Sequence, residues 1–194
     1  MMGAQPQPHF TVAEYLAQEN ESTFKHEYFQ GRVYAMSGAS PAHSVISTNL
    51  AALFVAQLRG SSCTTFSNDT RITVPSNGLY TYPDLSIVCG KPIFDEQDPY
   101  ALVNPTVIIE ILSNSTEAYD RGSKFQLYRG LPSLEEYILI AQNQARIERF
   151  LRPDWALTDC AGLDSSLTLV SLPCTLRLAE VYERITFTSP PELR

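Results

Sequence analysis

The stretch Val107–Leu112, "VIIEIL", constrains the fold most, because it is aliphatic at alternate positions in both registers. Successive strand residues point to opposite sides. Val107, Ile109 and Ile111 therefore form one face, and Ile108, Glu110 and Leu112 the other. A strand covered on both faces sits inside a layered domain rather than at its surface. Glu110 is the exception within it. An ionised carboxylate in an apolar environment costs several kcal/mol unless a cation or hydrogen-bond donors compensate it, and isolated glutamates are almost never fully buried. Glu110 thus calls for a partner, the plain alternative being a glutamate with a structural role alone.

The rest of the chain supplies layers for that strand. Thr11 and Glu14 are spaced as a capping box for a short helix in "TVAEYLAQ". "TFKHEYFQGRVYAM" reads as a β-hairpin turning at Gln30-Gly31. In "GASPAHSVISTNLAALFVAQLRG", Ser40 is an N-cap and Pro41 the first helical residue, with apolar positions from Val45 to Leu58 and Gly60 as terminator. Strands follow in "CTTFS", "TRITV" and "YPDLSIV"; "KPIFDEQDPYALVNP" reads as a loop. After "TVIIEIL" come a helix around Tyr119 to Arg129, strands "EYILIA", "ARIERFL", "WALTDC" and "SLTLV", and a short helix "LAEVYERI". Strands on both sides of two good helices indicate an α/β or α+β domain with a mixed sheet.

A chain of 194 residues that is 44% hydrophobic buries one substantial core, so residues 1–194 are read as a single domain. There is no 18-residue apolar run for a membrane span, and "MMGAQPQPHF" lacks the basic flank and apolar segment of a secretory signal. The expectation is a cytoplasmic protein with no membrane partner. Cys63, Cys89, Cys160 and Cys174 form no C-x-x-C pair and are expected to be reduced thiols, mostly buried. A formal net charge of −7 argues against an unaided phosphate-backbone binder, although divalent cations would offset it locally.

Two further residues join Glu110 as candidates for chemistry. Asp84 follows Pro83, which lacks an amide hydrogen and suits a strand start or edge. If that strand pairs with the one carrying Glu110, two carboxylates meet, and paired carboxylates are the usual protein share of a Mg²⁺ or Mn²⁺ site. Lys124 lies between Asp120 and Tyr128 at helical spacing, so the three share a stripe while Phe125 and Leu127 turn toward a core. Taken singly, Asp84 reads equally well as a strand-start residue and Lys124 as half of a solvated helix pair. No G-x-S-x-G elbow surrounds Ser113 or Ser115, which sets a serine hydrolase aside.

In combination these residues resemble the PD-(D/E)XK nuclease superfamily: Pro-Asp, a glutamate in a hydrophobic strand 26 positions on (110 − 84), then a lysine. The standard motif has lysine two residues after the glutamate, where this chain has Leu112; Lys124 matches branches in which it has moved to the following helix. "HEYFQGRVYAMSGASPAHSVISTNL", "YTYPDLSIVCG" and "NPTVIIEILSNSTEAYDRGSKFQLYRGLPSLEEYILI" are similar to the Uma-type restriction-endonuclease family, a domain of unknown function. The resemblance covers about Phe10 to Arg152, so residues 10–152 are expected to form a nuclease-like core and 153–194 additional strands and a short helix.

The resemblance implies a central mixed sheet flanked by helices and a Mg²⁺-dependent (or Mn²⁺-dependent) endonuclease acting on DNA. It makes Asp84 and Glu110 the metal ligands and Lys124 the catalytic lysine. His43, in the first turn of the long helix, and Glu27, in "HEYFQG", match the family pattern and join the catalytic set, while Asp69 reads as a turn residue or an outer ligand. A homodimer would suit a nuclease that cuts both strands, with Tyr80 and Tyr82 or the strands after Trp155 as its interface. The alternative is a non-catalytic or regulatory nucleic-acid-binding module on a nuclease fold.

Overall fold

The computed structural model describes residues 9–36 and 38–187. Residues 1–8, on which the reading of the N-terminal segment rests, lie outside that range, as does the end of the C-terminal segment. Helix α1 (Val12–Glu21) begins at the expected capping box, Thr11 and Glu14 bonding reciprocally. Strands β1 (His26–Phe29) and β2 (Arg32–Ala35) form the hairpin. Its turn needs left-handed backbone at Gln30 (φ 46°) and Gly31 (φ 79°). Helix α2 (Pro41–Gln57) starts at Ser40, whose side chain accepts from the His43 amide.

Strands β3 (Cys63–Ser67), β4 (Arg71–Val74), β5 (Leu79–Thr81), β6 (Leu85–Cys89), β7 (Ala101–Leu102), β8 (Val107–Leu112), β9 (Glu136–Ala141), β10 (Arg146–Leu151) and β11 (Ala156–Ala161) build two sheets. The first has the order β2-β1-β5-β4-β7, the second β11-β10-β9-β8-β6-β3. Strands β12 (Ser166–Thr168) and β13 (Thr175–Arg177) make a separate ribbon followed by α5 (Leu178–Val181). Between β8 and β9 run α3 (Glu117–Tyr119), a π-helical turn (Asp120–Lys124) and α4 (Phe125–Tyr128). Among the described residues no helix is long and apolar enough to cross a membrane.

The six-stranded sheet is mixed: β8 and β9 are parallel, β6 and β8 antiparallel. Both faces of β8 are covered, as its sequence requires. Val107, Ile109 and Ile111 pack in a core with α2, the ribbon and α5. Ile108 and Leu112 pack on the opposite side with Phe125, Tyr128 and residues of the first sheet. Tyr15 of α1 closes a third cluster with Tyr28 and Tyr80.

Several expectations are corrected. "YPDLSIV" is a strand only from Leu85; the chain leaves the first sheet at Thr81 and enters the second past Pro83, whose missing amide hydrogen cannot extend a ladder. The loop "KPIFDEQDPYALVNP" contains β7, two fully buried residues that run parallel to β4 and were too few to show a pattern. Strand β13 was not anticipated. Cys63 and Cys89 are not thiols: they face one another across β3 and β6 and form a disulfide, leaving Cys160 and Cys174 free. Tyr80 and Tyr82, expected to be exposed at an interface, are buried against α1 and Arg71.

Candidate active site

The β6–β8 register brings Asp84 to Glu110. Leu85 pairs with Ile109, so the next position on each strand sets Asp84 across from Glu110, with side chains on one face of the sheet. Asp84 is anchored there by the Ile111 amide, which donates to Oδ2 at 2.7 Å. Glu110 is 4% exposed.

The stripe on the following helix completes Glu110's surroundings. Lys124 Nζ lies 2.8 Å from Glu110 Oε1, and the Tyr128 hydroxyl donates to the same oxygen at 2.8 Å. Asp120 Oδ1 stands 3.6 Å from Lys124 Nζ. The segment that presents Asp120 and Lys124 is the π-helical turn, a distortion frequent at functional sites. Its position is fixed by packing: Phe125 stacks on Tyr137 of β9, and the Tyr137 hydroxyl donates to the Asp120 carbonyl. Lys124, fourteen residues on in sequence, therefore reaches back to Glu110.

Burial dominates the electrostatics. It pushes the Glu110 carboxyl up to about 8; Lys124 opposes the shift, while the charges of Asp120 and Asp84 reinforce it. For Lys124 burial acts downward, but Glu110, Asp120 and Glu27 outweigh it and hold the ammonium protonated well above the ordinary lysine range. Burial also raises Asp120, against the pull of Lys124.

Two candidates approach from other elements. His43, in the first turn of α2, places Nε2 3.1 Å from Asp84. Its Nδ1 is buried without a hydrogen-bond partner among the described residues. Glu27 of β1 is 7% exposed and accepts from the hydroxyls of Thr81, at 2.6 Å, and Tyr119. Asp69 stands apart in an exposed turn, paired with Lys25 at 2.6 Å.

Glu27, His43, Asp84, Glu110, Asp120 and Lys124 all line one cavity of ≈ 1150 Å³ between the two sheets and α2. Sequence reasoning put Asp120 and Tyr128 on the lysine's stripe without assigning them to the site; their i, i+4, i+8 spacing was the available signal. Tyr119 and Thr81 gave none, because their contact with Glu27 spans 92 and 54 residues.

No group of three or more His, Cys, Asp or Glu among the described residues is arranged to hold a metal ion. Mg²⁺, however, keeps several waters and is commonly held by one or two carboxylates together with substrate phosphate oxygens. Asp84 and Glu110 supply two hard oxygen donors at the wall of a roomy cavity. Both Glu110 contacts fall on Oε1, which leaves Oε2 without a hydrogen-bond partner among the described residues. The pair therefore fits a Mg²⁺ or Mn²⁺ ion completed by water and substrate.

A family model described as "Uma2: Putative restriction endonuclease" matches residues 12–180. The chain belongs to the Uma2 family. Two relatives come from Synechocystis sp.: the uncharacterized protein slr1290 is 36% identical over 185 residues, covering 94% of this chain and 96% of the relative. The uncharacterized protein sll1609 is 33% identical over 160 residues, covering 81% and 90%. A crystal structure described as a putative nuclease from Anabaena variabilis superposes with a TM-score of 0.76 at 17% identity, covering 91% of this chain and 99% of that one. Uma2 membership and this fold agree with the restriction-endonuclease-like architecture expected from the sequence.

Proposed function

We propose that the protein is a metal-dependent endonuclease that hydrolyses DNA phosphodiester bonds, with Asp84 and Glu110 as ligands of Mg²⁺ or Mn²⁺ and Lys124 as the catalytic lysine. The observation that carries this reading is the contact between Lys124 and Glu110 at 2.8 Å, on the sheet face where Asp84 stands opposite Glu110. Uma2 membership supports the reaction class.

When bound, a divalent cation would polarise the scissile phosphate and lower the pKa of attacking water. The chain's own groups do the rest. Asp84, held by the Ile111 amide and His43, keeps its carboxylate oriented toward Glu110's face of the sheet. Lys124, kept protonated by its carboxylate neighbours, sets a positive charge beside the charge that develops on the phosphoryl oxygens. Tyr128 and Lys124 fix the Glu110 rotamer. His43 and Ser40 place the first turn of α2 on the cavity, where the positive end of the helix dipole favours an anion. Glu27 lines the wall facing Lys124, its orientation set by Thr81 and Tyr119. In-line attack by water then forms one P–O bond as the P–O bond to a sugar oxygen breaks; the attacking water gives up a proton and the departing sugar oxygen takes one up, leaving one fragment with a phosphate end and the other with a hydroxyl.

Cleavage of plasmid and linear DNA in Mg²⁺ or Mn²⁺ tests this. Asp84→Asn, Glu110→Gln and Lys124→Ala should each lower the rate by about 100-fold or more while the circular dichroism spectrum stays native. Wild-type cleavage that all three variants retain would overturn the assignment. Binding of DNA with no turnover in any divalent metal would instead identify a non-catalytic module.

A further inference from the structure

The mouth of the cavity differs from its floor. Phe24 is 75% exposed and Tyr34 47% exposed, and both line the opening. Tyr34 pairs across the hairpin with Glu27, so its ring lies on the cavity face beside that carboxylate. Phe24 precedes β1 and is held by a tight local turn, in which the Ser22 hydroxyl accepts from the Phe24 amide and donates to its carbonyl. The adjoining Lys25 ammonium is paired with Asp69 and lies over the Tyr82 ring. Two large rings are thus presented to solvent, one on the hairpin and one in the turn before it, where burial would otherwise be favoured.

The charge of the cavity narrows what those rings serve. Its lining holds two lysines, Lys25 and Lys124, and both are ion-paired; four carboxylates line it with them. Such a lining gives little phosphate neutralisation, a lack that weighs more on duplex, with its denser phosphate charge, than on a single strand. Aromatic rings supply another source of affinity, stacking on base faces, and base faces are accessible only in unpaired strands. We infer that Phe24 and Tyr34 form a stacking subsite for unpaired nucleobases, so that the preferred substrate is single-stranded or locally opened DNA rather than closed duplex. This rests on the nuclease reading above and adds the substrate's form.

Binding without turnover isolates the claim. Fluorescence anisotropy in Ca²⁺ would compare a labelled single-stranded oligodeoxynucleotide with the same strand annealed to its complement, using the full-length protein. Wild type should prefer the single strand. Phe24→Ala and Tyr34→Ala should each weaken single-strand binding about tenfold and leave duplex binding nearly unchanged, while Phe24→Trp retains affinity. Equal affinity for both forms, binding to neither, or single-strand binding untouched by both alanine variants would overturn the subsite. A parallel cleavage assay in Mg²⁺ with Glu110→Gln keeps the two readings apart. Metal-dependent cutting that Phe24→Ala and Tyr34→Ala leave unaffected would refute the rim alone. Single-strand binding that depends on Phe24 and Tyr34 without cutting would refute the nuclease reading alone.

Discussion

Glu110 survives inside an aliphatic strand because Lys124 and Tyr128 both donate to one of its oxygens. The same logic couples His43 to Asp84. Burial acts to lower the His43 pKa, but the hydrogen bond and charge of Asp84, with Asp120 behind it, carry it above the ordinary value of 6.5. A raised pKa means that the folded state binds the proton more tightly than the unfolded chain. The stabilisation is therefore complete below pH 6.5 and disappears as pH rises through the folded midpoint. An NMR titration of the His43 ring should give a midpoint above 6.5, and Asp84→Asn should bring it down. A midpoint that Asp84→Asn leaves in place would show that the 3.1 Å contact carries no charge coupling. At this scale the sequence exposed the oddity of Glu110 and the stripe of Asp120, Lys124 and Tyr128. It was silent on which oxygen each donor reaches, since that is decided by rotamers and packing.

At the scale of elements, local signals were the legible ones. The Thr11–Glu14 box, the Gln30-Gly31 turn and the Ser40-Pro41 helix start depend on residues within a few positions, and each forms as expected. Strands β7 and β13 escaped because two- and three-residue strands are set by distant partners rather than by their own alternation, whereas β12 lies within the expected strand "SLTLV". The disulfide escaped for the same reason: Cys63 and Cys89 are 26 residues apart, and only the β3–β6 register sets them face to face. That link ties an edge strand to β6, which begins next to Asp84. Closing a loop of this length is worth about 3 kcal/mol. Guanidinium unfolding of Cys63→Ala/Cys89→Ala should show a loss of about that size relative to the oxidised wild type. An unchanged midpoint would mean that the link adds nothing to the β3–β6 ladder.

The whole molecule brings its site together by stacking two sheets. Glu27 arrives on the first sheet, Glu110 on the second, and Asp84 sits where the chain crosses between them. The mixed-sheet class was readable from element order. The second sheet and the cavity between the two were not, because no local pattern tells which strands share a ladder. We propose that this cavity holds a divalent cation between Asp84 and Glu110 with Lys124 beside it. An anomalous difference map from a Mn²⁺-soaked crystal tests it most directly. The expected result is a single strong peak within bonding distance of both carboxylates, lost in Glu110→Gln; a peak elsewhere, or none at these carboxylates, would contradict the account.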